Sequence, residues 1–421
     1  MVSRMFRRAF LRSGATSVLF TSVSAWGLVA TEAKGKTGAR FAEAVLVPTF
    51  LLNSEALGIA PMTAWSKLLS RQLDQGKILF SQTPDADRSF RRAANRLTLL
   101  GSQSSKRSAV KKTSWQEEKK ETDRILRAAL DEYTTGLQLD PTAIQARTER
   151  ALVYWQLQQI DEALIDCDIV LDSPGDNFTL RAMRILGRLQ SGDPAGATTD
   201  CGWVLEHPPT DPSDAMLLPL VLAARGEAQH ALGQEEQAII DYTAALNFPG
   251  AQEGPAYTVR FSRGCAYYAL GKYQQASEDF SAMSQSQPEI AFYDRGLCYV
   301  KLNRLQEALR DFDLAIRWDS DLQHAEGDHY IGRGLTWQLL GDETKARQDY
   351  LYALALYKAD LARYGDENKG RPRLRLALAY ATLGERETAR QTLLLAKAEA
   401  DSKQDIPLLR SINKYLQLLS K

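Results

Sequence analysis

Apolar positions along this chain keep a helical period and return in a fixed order. An alanine is followed four residues later by a second apolar residue and three beyond that by a third. The copies are Ala163/Cys167/Val170, Ala197/Cys201/Val204, Ala238/Tyr242/Ala245, Ala276/Phe280/Met283, Ala308/Phe312/Ala315, Ala346/Tyr350/Ala353 and Ala389/Leu393/Ala396. An earlier copy carries Ala129, Tyr133, Gly136, Leu137 and Pro141. Positions i, i+4 and i+7 share one face of an α-helix, so each triplet predicts an amphipathic helix. Successive alanines, from Ala129 on, stand 34, 34, 41, 38, 32, 38 and 43 residues apart, a period that fits a helix pair with a variable connection.

A second half-motif precedes the triplets and is clearest from Phe261 to Trp318. It reads Gly264…Tyr267…Leu270-Gly271, Gly296…Tyr299…Leu302, Gly334…Trp337…Leu340-Gly341 and Ala377…Tyr380…Leu383-Gly384. The small residue lets two helices approach, the aromatic three residues on fills the space between them, and Leu-Gly or Leu-Asn closes the turn. The second and third pairs depart from this, with Arg188 and Gln229 at the aromatic place and Ile185 for the small residue. From Ser114 to Asp401 the chain resembles the tetratricopeptide repeat family. The resemblance implies an all-α fold: a right-handed superhelical solenoid of antiparallel helix pairs, about seven repeats, with capping helices at its ends. Residues 402–421, where Ile406, Leu408, Leu409, Ile412, Tyr415, Leu416 and Leu419 share a face, are expected to cap the last repeat.

One further regularity crosses the pairs. Arg150 and Asp166, Arg184 and Asp200, Arg225 and Asp241, Arg263 and Asp279, Arg295 and Asp311, and Arg333 and Asp349 are each 16 residues apart. Each joins the first helix of a pair to the second, which predicts a repeated internal salt bridge. A phosphate-binding arginine ladder fits less well, because every arginine arrives with its own carboxylate.

Residues before the array differ in character. Between Met1 and Arg40 lie seven basic residues and one acid, Glu32, and Arg4, Arg7, Arg8 and Arg12 precede an uncharged, moderately apolar run, Ser13 to Thr31. A basic head before an apolar stretch is the pattern of an export signal or membrane anchor over residues 1–33. Phe6-Arg7-Arg8-Ala9-Phe10-Leu11-Arg12 resembles a twin-arginine signal, with Phe6 where Ser or Thr is usual. The expected location is therefore outside the cytoplasm, in a periplasm or thylakoid lumen of bacterial type. The other reading of the same composition is an organellar presequence. In residues 34–113, amphipathic stretches near Thr63–Gly76 and Asp85–Leu100 predict a helical hairpin, and Gly101 to Thr113 reads as a flexible linker. Its Lys106, Arg107, Lys111 and Lys112 have no interleaved aromatic residue, so a solvated linker fits better than a nucleic-acid or lipid contact.

Composition narrows the chemistry. The 421 residues hold 52 basic and 52 acidic side chains, which argues against a polyanion-binding surface over the whole molecule. Four dispersed cysteines suggest neither a disulfide framework nor zinc. No P-loop, HExxH or serine elbow occurs; Gly332-Arg333-Gly334 lacks a third glycine, and His324 and His329, five apart, do not share a helical face. No catalytic residue, metal ligand or cofactor is assigned.

In proteins similar to this one, first-helix residues flanking the small and aromatic positions line an inner groove. Carried over, these are Trp155; Phe261, Cys265 and Tyr268; Tyr293, Leu297 and Val300; Ile331, Leu335 and Leu339; and Leu374 and Leu378. Such a groove suits an amphipathic helix or an apolar peptide. The expected function is a non-catalytic scaffold that holds a protein or peptide partner and assists assembly of a complex. The rivals are an accessory or regulatory subunit of an enzyme complex and a self-associating structural protein.

Overall fold

The computed structural model describes residues 83–107, 115–173, 178–209, 215, 217–248, 256–285, 288–321, 327–363, 369–403 and 406–419. The basic head and the stretch near Thr63–Gly76 lie outside them. Among the described residues there are seventeen helices and no strand: α1 (Pro84–Arg107), α2 (Trp115–Leu139), α3 (Ile144–Gln156), α4 (Ile160–Leu171), α5 (Phe178–Ser191), α6 (Pro194–Glu206), α7 (Leu218–Ala231), α8 (Glu235–Asn247), α9 (Ala256–Ala269), α10 (Tyr273–Met283), α11 (Pro288–Lys301), α12 (Leu305–Asp321), α13 (Gly327–Leu339), α14 (Glu343–Arg363), α15 (Gly370–Thr382), α16 (Arg386–Ser402) and α17 (Ile406–Leu419). They fall into two units, one ending at Asp193 and the other beginning at Pro194. Within each, every helix packs on the next in order, as in a solenoid of antiparallel pairs.

Local chemistry sets the pairs. Turns between paired helices close on left-handed residues, Gly233, Gly271, Gly341 and Gly384, with Gln158 (φ 60°) and Asn303 (φ 57°) at the same place in α3/α4 and α11/α12. Where the helices cross, glycine meets a ring: a Cβ on Gly264 would lie 2.8 Å from Phe280 Cε1, and one on Gly334 would lie 2.7 Å from Tyr350 Cε1. The aromatic ring filling this space belongs to the second helix. Tyr267, expected there from the sequence, is half-buried instead and stacks under Arg263, 5.8 Å from guanidinium to ring centroid. Phe280 and Phe312 have no exposed surface, a burial that contributes roughly 2–3 kcal/mol each.

The amino-terminal unit begins with a pair the sequence reading divided differently. Helix α1 packs along α2, burying Phe90, Ala93 and Leu97 with Tyr133 and Leu137. It continues through Gly101 to Arg107, because one helical glycine costs only about 1 kcal/mol against alanine and does not by itself stop a helix. Arg92 Nε donates to Glu132 Oε2 at 2.9 Å, so α1 and α2 carry a cross-pair ion bridge of their own. At the other end α17 packs on α16 and buries Leu408, Ile412 and Tyr415.

Candidate functional site

The arginine-aspartate series has the geometry of a two-pronged clamp. Arg150, Arg225, Arg263, Arg295 and Arg333 each donate Nε and Nη2 to the two carboxylate oxygens of the aspartate 16 residues on, at 2.6 to 2.9 Å. Those aspartate side chains are 1–9 % exposed. The remaining pair, Arg184 and Asp200, has one member in each unit: Arg184 donates Nη1 to Asp168 at 2.8 Å, and Asp200 is buried.

A third prong was not foreseen. The Nη1 group of five of the six arginines reaches back to the preceding second helix: Arg150 to Thr134 (3.5 Å), Arg184 to Asp168 (2.8 Å), Arg263 to Thr243 (3.1 Å), Arg295 to Ser281 (3.1 Å) and Arg333 to Asp313 (2.7 Å). Within a pair, the acceptor sits two residues beyond the clamped aspartate, as in Asp166-Cys167-Asp168, Asp241-Tyr242-Thr243 and Asp279-Phe280-Ser281. That short motif could have been found in the sequence. Its partner could not, since the separation from the next arginine runs 16, 16, 20, 14 and 20 residues. The guanidinium groups of Arg150, Arg263, Arg295 and Arg333 thus each tie one helix pair together and fasten it to the one before.

The twelve inner-face positions divide otherwise than expected. Ten of them, from Phe261 to Leu378, join one core cluster in the carboxy-terminal unit, and each is 0–8 % exposed. Trp155, in the other unit, is also buried, whereas Leu339 is 41 % exposed and stands outside the cluster. These side chains are shared out among ring contacts: Phe261 with Phe280 (centroids 6.0 Å), Tyr268 edge-on to Tyr273 (5.1 Å) and Tyr293 with Phe312 (5.9 Å). The structure brings ten of the twelve together, as members of a buried apolar cluster. Charging Phe261 or Tyr293 would therefore disrupt the fold as well as any binding.

Polar groups, of which the sequence reading weighed only His329, lie beside it. The Tyr357 hydroxyl donates to Asp328 Oδ1, and Arg375 Nη2 stands 3.5 Å from Asp328 Oδ2. His329 packs on Tyr293 at 4.9 Å between centroids, and Asp294 has no exposed surface. Burial, reinforced by the Asp328 charge, pushes the Tyr293 and Tyr357 phenols well up, so both stay protonated donors. Burial does the same to the Cys265 thiol, which keeps it out of the nucleophilic thiolate form. Among the described residues no group of three or more His, Cys, Asp or Glu side chains is placed to hold a metal ion.

The tetratricopeptide repeat model matches residues 290–322, which are helices α11 and α12. No curated protein matches the sequence. Solved structures with similar folds include residues 41 to the end of MamA from Desulfovibrio magneticus (19 % identity, 44 % of this chain and 98 % of that one, TM-score 0.38). A tetratricopeptide repeat protein from Parabacteroides merdae is 15 % identical over 69 % of this chain and 99 % of its own, with a TM-score of 0.45. Yeast Tom70 is 13 % identical over 91 % and 79 %, with a TM-score of 0.41.

Proposed function

We propose that the chain is a non-catalytic protein-interaction scaffold that holds an apolar peptide or amphipathic helix on the inner face of its carboxy-terminal unit and assists assembly of a complex. One observation supports this reading: ten of the residues expected to line an inner face, on α9, α11, α13 and α15, join a single apolar cluster spanning four successive helix pairs. A surface of that kind recognises an extended or helical apolar segment, with anchors spaced along it and few directional contacts. The match to the tetratricopeptide repeat model in α11 and α12 supports it.

The basic head and apolar run at the amino terminus support export or membrane anchoring as the setting. Among the described residues no helix is long and apolar enough to cross a membrane. Fractionation with amino-terminal sequencing tests the setting: an extracytoplasmic or membrane-bound product is expected, and a cytoplasmic product with its terminus intact contradicts it. For the scaffold reading, the full-length chain is purified under native conditions from its source. A discrete complex with one stoichiometric non-identical polypeptide is expected, and recovery of the chain alone as a monomer contradicts it.

Self-association is a second reading, favoured by exposed apolar residues on two second helices, Leu351 and Tyr352 on α14 and Leu394 and Leu395 on α16. It predicts a discrete oligomer of this chain by light scattering that Leu395→Glu dissociates, and a monomer in both forms contradicts it.

A further inference from the structure

The row of apolar first-helix positions changes character at α7. Counted from the clamp arginines, the places two before and two after hold Phe261 and Cys265 in α9, Tyr293 and Leu297 in α11, and Ile331 and Leu335 in α13. In α7 the same places hold Ala223 and Glu227. A carboxyl therefore stands where the next three first helices carry an apolar side chain.

Glu227 is part-buried and makes no hydrogen bond or ion pair among the described residues. Burial alone pushes its carboxyl up to about 8. Two further polar groups nearby are incompletely bonded: the hydroxyls of Tyr242 on α8 (1 % exposed) and Ser262 on α9 (2 % exposed). Tyr242 lies within electrostatic reach of Glu227 and has the Ser262 hydroxyl beside its own, yet neither hydroxyl completes a hydrogen bond of normal geometry among the described residues. Its ring is held against the backbone that carries Glu227, since a Cβ on Gly226 would lie 2.7 Å from Tyr242 Cε1. The other carboxyl acting on Tyr242, Glu235, is already engaged, with Oε2 at 2.5 Å from His230 Nδ1. Native proteins rarely leave such buried groups unbonded, so Glu227, Tyr242 and Ser262 call for a ligand.

Their chemistry narrows its kind. The three oxygens come from three helices, and one of them is acidic. A primary ammonium is a compact cation with three N–H donors and no acceptor, which matches them. A guanidinium presents a planar fork suited to a two-oxygen acceptor, and calcium takes about six or more oxygens. We infer that Glu227, Tyr242 and Ser262 form a subsite for a primary ammonium group, supplied by a lysine side chain of the protein partner. This rests on the scaffold reading and deepens it, because it sets a basic residue beside the apolar part of the partner segment. The carboxylate takes the charge and the two hydroxyl oxygens accept the remaining N–H bonds. Glu227 is protonated in the empty site at neutral pH, and the arriving cation releases that proton to solvent.

Saturation-transfer NMR on the full-length protein tests the subsite, with butylammonium chloride as probe and butan-1-ol as its uncharged control. Transfer to butylammonium is expected in the wild type and not to butanol. It should fall about tenfold in Glu227→Gln, which removes the charge and keeps the shape of the protonated carboxyl. Equal transfer in both proteins overturns the inference, and so does no transfer in either, which leaves the three oxygens bridged by water alone. If Glu227→Gln fails to fold, Tyr242→Phe, which removes only the hydroxyl, repeats the comparison. The second arm uses the natively purified complex: partner retention should fall about tenfold with Glu227→Gln or after acetylation of the partner's lysines. Transfer to butylammonium with retention unchanged gives the site to a free amine and overturns the lysine assignment. The scaffold reading fails differently, by the absence of any partner on the wild-type chain.

Discussion

Single residues show where the repeat is strained. At the first described turn between paired helices, Gln158 holds φ 60°, while the corresponding glycines hold 73° to 85°. An L-residue with a Cβ pays roughly 1–2 kcal/mol there, and its side chain offers only a 3.4 Å contact to the Trp155 carbonyl. Gln158→Gly is therefore expected to stabilise the protein by about 1 kcal/mol, read as a higher denaturant midpoint at unchanged slope. Glu149 is a second case. Burial pushes its carboxyl up to about 7, against an opposing hydrogen bond from Gln145 Nε2 at 3.0 Å. A carboxyl with a raised folded pKa favours the folded state while protonated. That contribution is fully present below about 4.5 and is lost as pH rises through about 7. Glu149→Gln is expected to flatten the stability profile between these values and to raise stability at pH 8 by up to roughly 3 kcal/mol. Urea melts at several pH values check this, and an unchanged profile contradicts it.

Elements are held by the three-pronged arginines, and one place in the series is unfilled. Gly202 occupies in α6 the position that Thr134, Thr243 and Ser281 occupy in other second helices. Arg225 makes its two bonds to Asp241, and among the described residues its Nη1 has no partner of the kind the other arginines have. A Cβ at Gly202 would meet nothing within 4 Å. Gly202→Ala is expected to add about 0.5–1 kcal/mol from helix propensity alone. Gly202→Thr is expected to match or exceed it by about 0.5–1 kcal/mol more if the hydroxyl accepts from Arg225. The two midpoints together separate propensity from clamp. Removing an existing clamp is costlier: Arg295→Ala strands Asp311 and Ser281 and should cost about 3 kcal/mol or more. Arg304→Ala, an exposed turn residue paired with Glu307 three positions on, should leave the thermal midpoint unchanged. Equal effects would contradict a structural role for the series.

Much of this scale was legible from the chain. Constant spacing of 16 residues arises because the two helices of a pair and the turn between them keep one length, so arginine and aspartate hold their register. Links between pairs were not legible, because connections vary in length. The pairing of α1 with α2 was hidden for the same reason, with Arg92 and Glu132 set 40 residues apart by the intervening segment. Exposure was the least legible property. The resemblance implied an inner face for Phe261, Cys265 and Tyr293, but whether water reaches a side chain depends on what packs against it, and that is a long-range fact no repeat period encodes.

For the molecule as a whole, the described chain is a series of like pairs, and stability in such arrays is close to a sum over neighbours. Within each unit the clamps tie neighbouring helices of the series together. The positions expected on an inner face gather in the buried cluster of α9 to α15, and the match to the tetratricopeptide repeat model falls within that stretch. An interaction scaffold of the kind proposed needs a continuous run of apolar positions along successive helix pairs. The most direct test of that account is crosslinking of the natively purified complex followed by mapping of the linked peptides. Partner crosslinks should concentrate on the first helices α9, α11, α13 and α15; crosslinks confined to the outer second helices α10, α12, α14 and α16 would contradict it.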